Sequence, residues 1–258
     1  MVEMKTDASV DAMHAAGQVV GRALTAVREA ADVGVALLDL DEVAREVLRE
    51  AGASSPFLGY RPPFATTAFP AVICASVNDA IVHGIPTRYR LRDGDLVSVD
   101  CGAVLDGWAG DSAISFTVGR PRRADLDLVD AAERALAAGI EAAVVGNRIG
   151  DIAHAVGRVC RTAGYGIPSG FGGHGVGRRM HEDPDVPNEG RPGRGLPLRH
   201  GMVLAIEPML IASGKDAYYE ADDGWTLRTA DGSRAAHAEH TVAITENGPR
   251  ILTARETP

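Results

Sequence analysis

The sequence predicts an α+β domain of two similar halves, with helices packed on one side of antiparallel sheet. Three observations predict it. The periodic stretches run helices, strands, helices, strands along the chain. An Asp106-Gly107 pair between two apolar runs is a strong two-residue hairpin signal, which makes the neighbouring strands antiparallel. No linker divides the 258 residues, so one domain, 1–258, is the expected organisation. The Pro/Gly/Arg stretch at 190–201 is too short to bound domains, and no sequence repeat marks the halves.

Each element follows from its spacing. Val10, Met13, Gly17, Val20, Leu24 and Val27 recur every three or four residues, the stripe of an amphipathic helix. A second helix is expected over about 39–51, with Leu40, Val43, Val47 and Leu48 on one side and Gly52 as its stop. Residues 52–70, rich in Gly, Pro, Ser and aromatics, read as loop. Short β-branched or alternating runs predict strands at 71–77, 96–100 and 112–118. Helices are expected at 124–145 and 149–163, each ending near glycine. Then come a glycine-rich segment, a strand at 202–206, a hairpin across 217–229, and strands near 238–245 and 250–253.

Composition narrows the function. Hydrophobic residues make up 45% and charged residues 24%, as in ordinary soluble proteins. A net charge of −9 argues against a protein that grips nucleic acid phosphates. Three widely spaced cysteines without a CxxC pattern fit a reducing compartment. No basic-then-apolar leader opens the chain, and no apolar run reaches the ~18 residues of a membrane span. A cytoplasmic protein with neither a membrane nor a nucleic acid partner is expected.

Chemistry enters through misplaced carboxylates. If Asp106-Gly107 forms the hairpin turn, Leu105 faces Trp108 and Asp111 faces Gly102. Asp100, two residues from Gly102, then shares a face with Asp111, and the two would repel without a cation or shared proton. Asp100 follows the apolar run LVSV, Glu207 sits within MVLAIEPML, and Glu239 stands at the mouth of the strand in HAEHTVAIT. One such residue would most simply be an ion-paired acid. Three apolar strands that each carry one are better explained by a shared cation, because unpaired buried carboxylates are costly. The four carboxylates would neutralise two divalent cations.

One neutral imidazole would complete that set. Two histidines, His174 and His181, lie in GGHGVGRRMHEDP. Glycines of this kind mark a tight turn or a close backbone approach, and those beside His174 make it the candidate ligand. Oxygen-rich ligation with a single His favours Mn, Fe(II), Co or Mg over a closed structural zinc site. Paired metals serve hydrolases. His181 and His83, the latter in NDAIVHGIP, are left for supporting or substrate contacts. Taken alone, each is more often a hydrogen-bonded loop residue.

Together the segments NDAIVHGIP, DGDLVSVDCG, DGWAGDSA, GGHGVGRRMHEDP, AIEPML, DGWTLRT and EHTVAIT, in that order, closely resemble the type I methionine aminopeptidases. The match extends from about residue 71 to 253, and the two N-terminal helices fit as well. The resemblance implies the pita-bread fold, two pseudo-symmetric halves around a dinuclear metal site. It implies Asp100, Asp111, His174, Glu207 and Glu239 as ligands of two divalent ions (Mn, Fe(II), Co or Zn), with Asp111 and Glu239 bridging. It also implies a metal-bridging hydroxide that attacks the carbonyl after an N-terminal Met, Glu207 as proton shuttle, and His83 and His181 on the substrate. Tyr60, Phe69, Cys74, Met180 and Trp225 are the candidates for the methionine pocket.

The implied partners are N-terminal Met peptides and nascent chains with a small second residue. Proximity to the ribosome and a monomeric state go with that reading. Phe57, Ala80, Ala109 and a loop at 62–70 depart from the family's usual pattern and bear on pocket shape. Prolidases, aminopeptidase P and creatinase share the fold, but typically carry a sizeable extra N-terminal domain, and fewer than 100 residues precede Asp100 here. A type II enzyme would carry a helical insertion for which no stretch between His181 and Glu239 is free. A binding protein that had lost catalysis would lack ligands, and a dinucleotide site would need GxGxxG, which the glycine run does not supply.

Overall fold

Thr6 starts the first helix by accepting a hydrogen bond at Oγ1 from the Ser9 amide, 3.2 Å away. In the computed structural model, which describes residues 2–62 and 65–255, helix α1 spans Asp7–Ala30 and buries Val10, Met13, Val20, Leu24 and Val27. Helix α2 spans Leu37–Glu50. It begins two residues before the start the apolar spacing predicts, because the Asp39 carboxylate accepts from the Ala36 amide at 3.1 Å and caps the end. Helices α3 (Arg123–Ala142) and α4 (Ile149–Thr162) repeat the arrangement. Asp151 caps α4 through the Arg148 amide at 2.7 Å, and α2 and α4 are both 14 residues long. The halves that no sequence repeat marks are therefore visible as two equivalent helix pairs.

The strands are β1 (Ile73–Val77), β2 (Ala80–Val82), β3 (Leu96–Leu105), β4 (Trp108–Thr117), β5 (Gly172–Gly175), β6 (Glu182–Pro187), β7 (Val203–Ile206), β8 (Met209–Ile211), β9 (Tyr218–Glu220), β10 (Leu227–Thr229), β11 (Ala235–His237), β12 (His240–Thr245) and β13 (Gly248–Ile251). All named pairings are antiparallel. One sheet has the order β1-β3-β4 and packs against α1 and α2 around Leu24, Leu40, Val97 and Val99. A second, β13-β12-β7-β5-β6, packs against α3 and α4 around Leu136, Ile152, Leu204 and Val242. The short sheets β2-β10-β9 and β11-β8 complete the fold; the expected hairpin across 217–229 is the β9-β10 pair.

The halves meet where β4 runs beside β12. Thr241 Oγ1 accepts from the Asp111 amide at 3.0 Å and donates to the Asp111 carbonyl at 2.7 Å. Ser112 Oγ donates to the Glu239 carbonyl at 2.6 Å, and the Glu239 amide donates to Ala113 at 3.0 Å. The seam is thus locked by side chains and backbone immediately beside two of the acidic residues. Among the described residues no helix is long and apolar enough to cross a membrane.

Candidate active site

Four strands bring the acidic residues together, Asp100 and Asp111 within β3 and β4, Glu207 and Glu239 at the ends of β7 and β12. Asp106 and Gly107 turn with φ of 51° and 76°, the left-handed pair of a tight hairpin, which sets Leu105 opposite Trp108. The same register sets Asp111 opposite Gly102 and Asp100 opposite Ala113, so the two aspartates are diagonal neighbours. Glu207 directly follows β7, and its carbonyl accepts from Asn188 Nδ2 at 3.0 Å. Glu239 precedes β12 and is 1% exposed.

Of the two readings of the glycine-rich segment, a tight turn or a close backbone approach, the structure selects the second around His174. The segment's first part is β5, threaded between β6 and β7. A Cβ on Gly173 would stand 2.0 Å from the Ala205 carbonyl oxygen, and one on Gly175 would stand 2.1 Å from that of Asp183. Glycine here serves close strand approach, and it pulls His174 into the seam. His174 Nδ1 lies 2.9 Å from the Gly175 carbonyl, which places its hydrogen there and leaves the Nε2 lone pair facing inward. Nε2 is 3.6 Å from Glu207 Oε1 and 3.9 Å from Asp111 Oδ2.

These carboxylates fit divalent cations. Asp100 Oδ1, Asp111 Oδ1 and Glu239 Oε1 are buried with no hydrogen-bond partner. Burial is the leading cause that raises all four carboxyl groups: Asp100 to about 7, Glu207 to about 8, and Asp111 and Glu239 well above the usual range. The ligand atoms of Asp111, His174 and Glu239 lie within 4.8 Å of one another, as do those of Glu207, His237 and Glu239. Hard oxygen donors with imidazole suit Mn, Fe(II), Co or Zn. His237 is the one member that sequence reasoning missed. The signal was available, since a strand's alternation would put residue 237 on the same face as Glu239.

A cavity of about 730 Å³ opens onto the cluster. His83 and His181 both line it. Burial holds both imidazoles neutral, with pKa lowered to about 4 for His83 and about 3 for His181. His83 follows β2 at a φ of 59°, unusual for a residue with a side chain, and its ring stands 6.1 Å from Phe171 and 6.5 Å from Trp225. His181 stacks near Tyr60 at 5.5 Å. Glu182, next in the chain, is tied at 2.7 Å to the buried ammonium of Lys5.

The pocket candidates Tyr60, Phe69, Cys74, Met180 and Trp225 all line this cavity and form one apolar cluster. Cys74 sits opposite Asp100 across β1 and β3, and burial followed by the Asp100 charge pushes its thiol well above the ordinary value, so it is inert filling. Phe57, read from sequence only as a departure from pattern, is a wall of the same pocket, edge-on to Phe69 at 6.4 Å. Ala80 lies in β2 opposite Arg228, and the Ala109 amide donates to Gly177 at 2.8 Å, which ties the hairpin to the histidine segment. Within the 62–70 loop, Ala65 and Phe69 join the apolar wall, while residues 63–64 lie outside the described residues.

Two helix-backed halves with an acidic seam define the pita-bread metallopeptidases. The chain belongs to metallopeptidase family M24, which it matches over residues 11–246. Methionine aminopeptidase 1 of Mycobacterium tuberculosis is 55% identical over 98% of this chain and 95% of its own length. The crystal structure of methionine aminopeptidase from Thermotoga maritima superposes with a TM-score of 0.93 at 39% identity, covering 99% of this chain and 100% of that one. Prolidase from Pyrococcus furiosus, at 23% identity and a TM-score of 0.79, shares the fold, but the match covers only 66% of that chain.

Proposed function

We propose that this chain is a metal-dependent methionine aminopeptidase that removes the initiator methionine from new proteins. The observation that carries the reading is the joining of an acidic, cation-fitting cluster to an apolar pocket of aromatic rings and sulfur, in a chain whose relatives bear that name. In this reading Asp100, Asp111, His174, Glu207 and Glu239 hold two divalent ions. When bound, such ions polarise a carbonyl and lower the pKa of water.

The chain's own groups do the rest. Tyr60, Phe69, Cys74, Met180, Trp225 and Phe57 enclose the methionine side chain and exclude water. Glu207, on the cavity wall, takes a proton from the attacking water and returns it to the leaving amine. His83 and His181, neutral at pH 7, each offer an N–H to the developing oxyanion, where donors fixed in place matter most. By its likeness to the type I methionine aminopeptidases, the enzyme prefers a small second residue. Nascent chains in the cytoplasm are the substrates.

Release of free methionine from Met-Ala-Ser and Met-Leu-Ser, with Mn, Co or Fe(II) added in turn to apo protein, tests the reading. Metal-dependent cleavage of the first peptide alone is expected. Cleavage of Xaa-Pro peptides with Met-Ala-Ser left intact would overturn it.

A further inference from the structure

His237 ends β11, with its ring buried behind the metal-facing carboxylates. Its backbone is held from both sides by one hydroxyl: Ser115 Oγ accepts from the His237 amide at 2.9 Å and donates to the His237 carbonyl at 2.7 Å. Ser98 Oγ, 2.7 Å from Ser115 Oγ, steadies that hydroxyl in turn. The side chain is 2% exposed, so the ring has little freedom. Nε2 lies 3.5 Å from Glu207 Oε2 and 4.0 Å from Glu239 Oε2, and is buried with no hydrogen-bond partner. Glu207 and Glu239 line the cavity; His237 does not.

Two roles fit an imidazole at such distances, and its surroundings separate them. His174 Nε2 meets carboxylates at similar distances, but its Nδ1 hydrogen lies on the Gly175 carbonyl and its ring lines the cavity, whereas His237 lies outside the cavity and an N–H at its Nε2 meets two acceptors. The carboxylates also stand between the ring and the cavity. Glu207 itself lies between two imidazoles, with Oε1 toward His174 Nε2 at 3.6 Å and Oε2 toward His237 Nε2 at 3.5 Å.

We infer that His237 is a positioning residue, whose Nε2–H holds Glu207 Oε2 and so keeps Oε1 turned toward His174 Nε2, where the two side chains would hold an ion. Partners that hold a ligand from behind set its orientation and basicity. The inference rests on the metal-ligand reading above. It assigns a supporting donor to Glu207 from within this chain and adds no ligand to the five.

The test is calorimetric titration of Mn(II) into apo wild type, His237→Leu and His237→Gln. His237→Leu is expected to weaken Mn(II) binding by about 10- to 100-fold with stoichiometry unchanged. His237→Gln, which keeps an N–H donor, should recover affinity to within about threefold and leave the Co(II) absorption spectrum of the wild type unaltered. Equal affinity in His237→Leu and wild type would overturn the inference, as would a His237→Gln protein that loses the ion and changes its Co(II) spectrum. If His237→Leu does not fold, ¹⁵N-histidine spectra of the Zn(II)-loaded wild type decide, with His237 assigned by its absence in His237→Gln. Nε2 must read as a hydrogen-bearing nitrogen, and a metal-bound nitrogen overturns the inference. A wild type that binds no divalent ion would overturn the metal-ligand reading as well, a failure distinct from the others.

Discussion

The rings of His174 and His181 lie with centroids 4.1 Å apart although the two are seven positions apart in the chain. Strand β5 carries the first into the seam, and the chain then turns back so that the second faces the cavity. The two neighbours have different environments. His174 Nε2 looks at carboxylates, whereas His181 stacks on Tyr60. His181→Ala is therefore expected to keep its full metal content and lose about 10²- to 10³-fold in kcat on Met-Ala-Ser, the effect of removing one oxyanion donor. His174→Ala should lose metal. Elemental analysis alongside steady-state kinetics checks both, and metal loss in His181→Ala would reverse the assignment.

The buried carboxyls make the metal-free protein sensitive to pH. Asp100 and Glu207, at about 7 and about 8 when folded, hold protons that the unfolded chain has already released near neutral pH. The native state then binds more protons than the unfolded one, so stability falls as pH rises through that window. His83 and His181 act oppositely, because their lowered pKa values cost stability on acidification from about 7.5 downward, where the unfolded histidines begin to take up protons. Between about pH 7.5 and 8, where the histidines are neutral in both states, the carboxyl effect dominates. The apo protein should melt at progressively lower temperature across that range, and Mn(II) should remove the trend while releasing protons. Calorimetry in two buffers of different ionisation enthalpy measures both; an apo melting temperature that rises with pH would contradict the burial argument.

Much of the site was readable from residues alone, for a physical reason. Asp100 sits within an apolar strand, and Glu207 and Glu239 at the ends of two more, where a charge needs an explanation, and Asp106-Gly107 set the register that places Asp111 beside Asp100. The long helices were equally legible from their stripes. Strands β2, β5, β6, β8 and β11 were not: they are three to six residues long, and β5 is mostly glycine, which no strand propensity would select. Only the approach of Ala205 and Asp183 explains those glycines, and that is a tertiary fact. His237 escaped because its partners are distant in the chain and its only local signal, alternation with Glu239, is weak, whereas Phe57 is already tied to pocket shape by its departure from pattern.

Gly173 makes the point quantitative. Its hypothetical Cβ meets a backbone oxygen at 2.0 Å, and backbone cannot step aside. Gly173→Ala should destabilise the protein by about 3 kcal/mol or more, and should weaken metal binding because His174 is the next residue. Gly146, at a φ of +95° with nothing within 4 Å of its Cβ, is the control, and Gly146→Ala should lose only about 1 kcal/mol through backbone strain. Denaturant titration of both variants provides the comparison. Equal losses would mean that strand spacing around β5 is softer than the contact implies.

Phe57 governs the far wall of the pocket. It is buried, edge-on to Phe69, which in turn meets Trp225 at 5.1 Å, so the three rings form a continuous surface. Its ring rests against Gly102, where a Cβ would come within 2.9 Å of Phe57 Cε1; the wall has no room to retreat toward β3. An unbranched thioether is slim enough to lie along such a surface, whereas a side chain branched at Cγ is wider at the same depth. Discrimination by shape in an apolar pocket is worth about 1–3 kcal/mol. Phe57→Ala should accordingly raise the kcat/KM ratio of Leu-Ala-Ser to Met-Ala-Ser by about tenfold, a change within that range. It should also lower stability by about 3 kcal/mol from the space left behind. Measuring both substrates on the folded variant separates the effects, since a stability loss alone leaves the ratio untouched. An unchanged ratio would place the methionine side chain against a different wall, with Met180 and Cys74 the next residues to truncate.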